Sequence, residues 1–586
     1  MALKKWLPVL EWLPQYQKGW FRHDLVAGLT VGVMLVPQGM AYALLAGMPP
    51  IYGLYASLIP LLLYAIFGTS RQISIGPVAV DAFLVLAGLS LIAEPQSPEY
   101  ISLVILTGLA VGVLQLILSL LRLGFLVNFL SHPVVSGFTS AAAVIIAVSQ
   151  LKYLLGIRIP RFNHVYQTFY YALTHLSETH WITLVMSIAG IALILLLKKL
   201  NKNIPGALIA VILGILITWI WRLDQHGLDT VGVVPRGLPH FEIPDMSWQR
   251  LVQIFPTVLA VSIIGIVESV GIAKSLESKH RSYVVVPNQE LLALGVSKIG
   301  GAFFQSLVTS GSFTRSAVNN DSGAKTQLSS VITMLVIVFT LIFMTGLFYY
   351  LPNAILAAII MLATKSLFDY QGAIRLWHVH RHDFYMMILT FLVTLLFGIE
   401  EGVLAGVLLS IAMVIYRSSL PHMAILGRLP ESTHYRNVTR FPEALQENGV
   451  VIIRFDAPLY FGNSTYFKDT IRQIILQQKE PVKALVLDAS SISDLDTSGL
   501  EALESVINQM HANQVDFMLA GVIGPVRDIL YKAGLRELIG KDNLFLHVQQ
   551  AIDDYHNRMD ERSERLQAKA LQTNVRARKS DPTKDQ

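Results

Sequence analysis

Only 15% of this 586-residue chain is charged and 53% is hydrophobic, against about a quarter charged in soluble domains, which excludes an ordinary soluble protein. There is no cysteine, so disulfides, thiolate metal sites and thiol catalysis are excluded. The net charge of +5 is spread over helix ends and the C-terminal tail, which argues against a nucleic-acid partner.

Residues 1–23 carry no compact apolar core and no small-residue cleavage site, and read as an amphipathic segment retained in the mature protein. From 24 to 420, apolar stretches of spanning length follow one another, for example "ISLVILTGLAVGVLQLILSLL" from Ile101. About fourteen spans are expected, beginning near residues 24, 51, 77, 101, 130, 181, 205, 255, 288, 312, 327, 353, 384 and 401. Basic residues gather after every second span: Arg71, Arg122, "KKLNK" from Lys198, Lys274 with Lys279 and Arg281, Lys325, and "RLWHVHRH" from Arg375. The positive-inside rule then places both termini in the cytoplasm. Two longer connections, around 152–180 and 223–253, lie outside the membrane; Arg158 and Arg161 in the first run against the charge pattern.

Beyond a polar linker at 421–435 a soluble domain is expected over 436–558, with strands at "VVIIRFD", "KALVLDA" and "VDFMLAG" and helices after Asn463, Thr497 and Pro525. This pattern is that of a small α/β module. Residues 559–586 are charged and poor in large apolar side chains, and are expected to fray from a helix into disorder.

The membrane part is duplicated. Its third and tenth spans are the peculiar ones, "SIGPVAVDAF" and "SGSFTRSAV". Seven spans per half is an odd number, so the halves insert upside down relative to each other. Short, Gly- or Pro-interrupted segments at matching places in inverted halves point to a transporter's binding site. Gly76-Pro77 reads as a strand leading into a half-helix with proline at its first position, and Gly311-Ser312 reads the same way, with hydroxyls as caps. Two half-helix N-termini facing each other suit an anion, and Arg315 adds a full charge. Arg315 either serves that anion or pairs structurally with an acid, for which Asp81 is the candidate. Gln38 and Tyr42, four residues apart just after Pro37 interrupts the first span, complete the site or bond between packed helices. Glu268, among Ile, Val and Gly, is a candidate proton carrier, because desolvation favours the neutral form of a carboxyl group; isoleucine at 272, where sodium would want a hydroxyl, favours a proton.

The stretches "VPQGMAYALLAGMPPIYGLYASLIPLLLYAIFGTSRQISIGPVAV", "SHPVVSGFTSAAAVII" and "NQELLALGVSKIGGAFFQSLVTSGSFTRSAVNNDSGAKT" resemble the sulfate permease (SulP) family over nearly the whole chain, and the soluble part resembles its STAS domain. The resemblance implies a fold shared with uracil permeases: a polytopic α-helical protein of two inverted seven-span repeats, divided into core and gate domains, with a C-terminal α/β STAS domain. It implies a homodimer that moves core against gate like an elevator in an inner or plasma membrane. Its anion site, carried over, is Gln38, Tyr42, the backbone at Val78 and Ala79, and Ser312, Phe313, Thr314 and Arg315. Its acidic position is Glu268, consistent with proton coupling; sodium-coupled bicarbonate members look different there, with an aspartate. Asp81 matches no family role. In STAS domains of anti-sigma-factor antagonists the serine of the pattern Asp496-Thr497-Ser498-Gly499 is phosphorylated, which makes Ser498 a regulatory candidate; the alternative is that Thr497 and Ser498 cap a helix.

The expected function is secondary transport of a small inorganic anion, sulfate with protons first, with bicarbonate, C4-dicarboxylate, exchange or channel activity as alternatives. A cytoplasmic partner of the STAS domain is a further expectation. No nucleophile and base pair, metal-ligand cluster or Walker loop is present in the sequence, so neither an enzyme nor a cofactor is expected.

Overall fold

A backbone in hydrocarbon must satisfy its own hydrogen bonds, so apolar stretches of this kind fold as helices. The computed structural model describes residues 6–125, 131–160, 162, 164–200, 205–280, 282–365 and 367–579. Arg161, Lys202 and Arg281 of the charge pattern lie outside the described residues. The chain divides into two units, Met1–Ile411 and Ala412–Gln586.

Among the described residues, fourteen helices match the expected spans. They are α1 (Lys18–Leu45), α2 (Ile51–Phe67), α3 (Ala79–Leu89), α4 (Pro98–Leu120), α5 (His132–Leu155), α6 (Trp181–Leu200), α7 (Gly206–Trp221), α8 (Trp248–His280), α9 (Pro287–Ala302), α10 (Phe313–Asp321), α11 (Leu328–Tyr350), α12 (Asn353–Thr364), α13 (Arg381–Leu396) and α14 (Ile399–Ser419). By length and composition, 7 of them could cross a membrane alone. The shortest, α3 with 11 residues and α10 with 9, fall well below the roughly 20 that a span needs. They are half-helices.

The packing repeats under a shift of seven helices. α1 packs on α11 as α8 packs on α4; α4 packs on α9 as α11 packs on α2; α3 packs on α8 as α10 packs on α1. These eight helices form the core. α5 packs on α13 and α6 on α12, which belong to the gate. Glycines allow the closest approaches: a Cβ on Gly53 would stand 1.9 Å from the Gly39 carbonyl oxygen.

Three details differ from expectation. α1 begins before residue 24, because the helix continues past the apolar zone that the composition marks. It also runs unbroken through Pro37; neighbouring membrane helices compensate for a proline inside a span. Pro77 precedes α3 instead of opening it.

In the second unit, β3 (Met423–Arg428) pairs antiparallel with β4 (Tyr435–Asn437) and β5 (Val450–Phe455). β5, β6 (Ala484–Asp488), β7 (Asp516–Ala520) and β8 (Leu544–Phe545) continue the sheet in parallel. β3 falls in the expected linker, where "MAILGR" alternates burial over its first four residues. Helices α15 (Ser464–Leu476), α16 (Thr497–Ala512) and α17 (Gly524–Lys532) bury Phe467, Ile507 and Val526 with Ile453, Leu487 and Leu519 of the sheet. α18 (Val548–Lys579) places Ala551, Ile552 and Tyr555 with Ile452, Val486 and Met518. Successive strand residues thus enter different clusters, as a pleated strand buried on both faces requires. The stretch expected to fray from 559 is helical to Lys579; i,i+4 ion pairs such as Arg558 with Asp554 support it.

Candidate functional site

Two very short strands hold the centre of the membrane unit. β1 (Ile75–Gly76) pairs antiparallel with β2 (Ser310–Gly311), Ile75 opposite Gly311 and Gly76 opposite Ser310, and Ser312 N donates to the Ser74 carbonyl at 3.0 Å. Each strand leads directly into its half-helix. Because the strands are antiparallel, α3 and α10 leave in opposite directions and their N-termini face the same join. The first-turn amides of a helix lack intrahelical acceptors, and the end carries partial positive charge.

Side chains of α10 and α8 fix this join. Ser316 Oγ accepts from Ser74 N at 2.9 Å, Asn319 Nδ2 donates to the Gln72 carbonyl at 2.8 Å, and Ser269 Oγ accepts from Gly311 N at 2.8 Å. Ser312 caps α10 by accepting from Arg315 N at 3.4 Å. Val78, extended, precedes α3 without any side-chain cap. Phe313 and Thr314 stand exposed at the open end of α10, while Val78 and Ala79 are buried.

Arg315 is completely buried. Its Nη1 donates to the Pro77 carbonyl at 2.9 Å, tying one half-helix to the other repeat. Nε and Nη2 are buried without a partner. Gly76 makes room for this: a Cβ there would stand 3.1 Å from Nη2. Tyr42 and Glu268 lie within electrostatic reach of the guanidinium. Glu268 is half-buried, and its Oε2 is buried without a partner; Gln38 Oε1 is in the same condition. An arginine with two free donors, two opposed helix N-termini of which one lacks a side-chain cap, and a neighbouring carboxyl group can hold an oxyanion and exchange a proton beside it.

Asp81 is placed differently from expectation. Among the described residues no ion pair joins it to Arg315; the charged groups facing it are Lys298 and Glu268. In the first turn of α3, its side chain points toward α8, with Oδ2 3.8 Å from the place of a Gly265 Cβ. Lys298 was missed in the sequence, although a lysine inside the apolar run "LLALGVSKIGG" is a charge at membrane depth and for that reason a signal.

Comparison with known proteins decides the family. The model of the sulfate permease family matches residues 21–390, and that of the STAS domain residues 441–551. The chain belongs to the sulfate permease family. It is similar to sulfate transporter 4.1, chloroplastic, of Arabidopsis thaliana, 40% identical over 574 residues and covering 94% of this chain and 83% of that protein. It is 33% identical to high affinity sulfate transporter 2 of Stylosanthes hamata, over 95% of this chain and 87% of that one. Among solved structures, murine Solute Carrier 26 family member A9, an anion transporter captured inward-facing, superposes with a TM-score of 0.87 at 27% identity, over 94% of both chains. This sulfate permease family chain is accordingly a multi-pass transporter and not an enzyme, with inverted membrane repeats and a STAS domain.

In the STAS domain the helix cap is neither Thr497 nor Ser498. The Asp496 carboxylate accepts from Gly499 N at 2.7 Å and from Phe461 N at 2.9 Å. Ser498 is half-buried in the first turn of α16. Gly499 is obligatory, since a Cβ there would stand 2.3 Å from the Leu459 carbonyl oxygen.

Proposed function

We propose that this protein is a proton-coupled sulfate symporter. The observation that carries the reading is the placing of Glu268, with a buried unpaired oxygen, within electrostatic reach of an arginine with two unpaired donors between opposed half-helix ends. Sulfate meets Arg315 and the first-turn amides of Ala79, Phe313 and Thr314, with Gln38 and Tyr42 as neutral neighbours. A protonated Glu268 tolerates the anion; an ionised one repels it. Loading of proton and anion is coupled by that repulsion. The plant relatives, named as sulfate transporters, support sulfate as the anion.

In this reading the core of α1–α4 and α8–α11 carries the site past the gate in an elevator-like step. The protein works as a homodimer in an inner or plasma membrane with both termini cytoplasmic. The STAS domain serves a cytoplasmic partner, and Ser498 is its modification candidate: a phosphate at a helix N-terminus is electrostatically tolerated while inverting the local charge.

The test is uptake of radiolabelled sulfate into proteoliposomes with and without an inward proton gradient, for the wild type and Glu268→Gln. Gradient-driven uptake that the substitution uncouples supports symport. Uptake indifferent to both overturns it in favour of exchange or a channel. Absence of sulfate uptake, with bicarbonate or a C4-dicarboxylate carried instead, overturns the choice of anion alone.

A further inference from the structure

The membrane unit buries several carboxyl groups, and they fall into two kinds. Asp24 is saturated: it accepts from Lys325 N at 2.7 Å, Thr326 N at 3.0 Å and Thr326 Oγ1 at 2.8 Å. Glu290 is saturated too, by Tyr64 Oη at 2.6 Å, Thr69 N at 2.8 Å and Thr69 Oγ1 at 2.5 Å. These are structural ties. Asp81 is the opposite case: it is fully buried, no backbone amide reaches it, and neither Oδ1 nor Oδ2 makes a well-formed hydrogen bond, the Ser310 hydroxyl of β2 being the polar group beside it.

On α9 stands a matching oddity. Lys298 is buried and donates to Gln115 Oε1 of α4 at 3.1 Å. No direct ion pair joins Lys298 to Asp81 among the described residues, but each lies in the electrostatic field of the other. Asp81 also lies in the field of Glu268, which faces Arg315, and the Tyr42 phenol of α1 faces Arg315 and Glu268. α12 brings no titratable residue. An orphaned carboxylate is costly at this depth, and a merely structural one would be expected to look like Asp24.

We propose that Asp81 is a second proton-carrying group of the transport site, held ready by Lys298, and that with Glu268 it sets two protons per sulfate. The inference rests on the symport reading above. Asp24 and Glu290 are held in fixed hydrogen bonds and carry the same charge whether the core is loaded or empty, so only the groups around the site decide the balance. With both acids ionised, Asp81 and Glu268 cancel Arg315 and Lys298, so this set is neutral when the site is empty. Sulfate adds two negative charges; one proton on Glu268 leaves the loaded set with a net negative charge, and a second on Asp81 makes it neutral again. A net charge crossing low-dielectric surroundings costs several kcal/mol, so the neutral loaded form is the one that moves. Both protons leave with the anion on the far side.

The experiment uses the full chain in proteoliposomes, with radiolabelled sulfate as probe and the membrane potential clamped by a potassium gradient with valinomycin. The proton-to-sulfate ratio is read from the proton gradient that balances a known sulfate gradient. The wild type is expected to show a ratio of about two and uptake indifferent to potential. Asp81→Asn should drop the ratio to about one, and an inside-negative potential should then slow uptake, because each sulfate enters with one uncompensated negative charge. Should Asp81→Asn fail to fold with Lys298 left unmatched, Asp81→Asn combined with Lys298→Gln keeps this set neutral when the site is empty and should show the same ratio of about one. A ratio that stays at two in either variant, or a wild-type ratio of one, overturns the role of Asp81 and leaves proton coupling through Glu268 standing. Wild-type uptake without any proton dependence overturns both.

Discussion

Arg315 donates from Nη1 to the carbonyl oxygen of Pro77 at 2.9 Å, so a charge carried by one repeat is anchored on the backbone of the other. Its remaining donors stay free. Arg315→Gln removes the charge and the fork, and a charge-assisted hydrogen bond is worth about 1.5–3 kcal/mol. Sulfate affinity should fall about tenfold to a hundredfold, read by calorimetry on the purified protein. Arg315→Lys should recover part of it, since an ammonium keeps the charge without holding both Pro77 and the anion.

The space for that guanidinium depends on Gly76. Its φ of +155° is a conformation other residues rarely adopt, and an added Cβ would stand 3.1 Å from Nη2. Gly76→Ala should cost about 1–3 kcal/mol through strain and displacement of the arginine. The expected result is a weakened sulfate affinity in protein that still purifies as a folded species; unchanged affinity would show that the guanidinium has room to move.

How much of this was legible in the residues follows from where the information sits. Spans are written in local composition, so all fourteen helices, the two half-helices among them, stood out, as did Arg315, a charge where charge is expensive. The three parallel strands β5 to β7 were legible as dense apolar runs, whereas β3 was taken for linker because its sheet partners lie elsewhere in the sequence. The surroundings of Asp81, for which pairing with Arg315 was one of two open alternatives, were hidden for a similar reason. Arg315 was the conspicuous base, but the side chain that faces Asp81 is Lys298 of α9, and no periodicity within either helix reports a contact between them.

Gly53 and Gly39 mark the tightest approach between α1 and α2. A Cβ on Gly53 would stand 1.9 Å from the Gly39 carbonyl oxygen, while one on Gly39 would stand 3.0 Å from that of Gly53. Gly53→Ala therefore cannot be absorbed without separating the helices, at a cost above the usual 1–3 kcal/mol of overpacking. Its yield of monodisperse protein should collapse. Gly39→Ala should purify with a modestly lowered thermal midpoint, and equal behaviour of the two would contradict the asymmetry.

In the STAS domain Asp496 accepts two backbone amides, Gly499 N and Phe461 N, and so closes α16 against the preceding loop. Loss of a helix N-cap costs about 1 kcal/mol, and the second amide left unmet adds a similar amount. Asp496→Ala should speed hydrogen exchange in 459–463 and 497–500 by about thirtyfold, with Asp496→Asn retaining most of the protection. Ser498→Ala should leave exchange there unchanged, because its hydroxyl takes no part in the cap.

Acid should loosen the STAS sheet at one identifiable place. Arg454 Nε donates to Asp456 Oδ1 at 2.5 Å, and His422 Nδ1 lies 2.8 Å from Oδ2. Burial alone would raise the Asp456 carboxyl, but Arg454 and His422 outweigh it and hold the group below its usual range. A carboxyl depressed in the folded state contributes stability that is full above its unfolded value, about 3.9, and is lost as pH falls through the folded value. The group is partly open to solvent, so the contribution is about 1 kcal/mol or less. Asp456 N also donates to the His422 carbonyl at 3.1 Å, joining the ends of β3 and β5. Hydrogen exchange in 423–428 and 450–455, taken relative to the intrinsic amide rate at each pH, should therefore rise on acidification below about pH 4 in the wild type. Asp456→Asn should show part of that rise already at neutral pH and a weaker dependence on acid. Identical pH profiles for the two proteins would remove Asp456 as the group responsible.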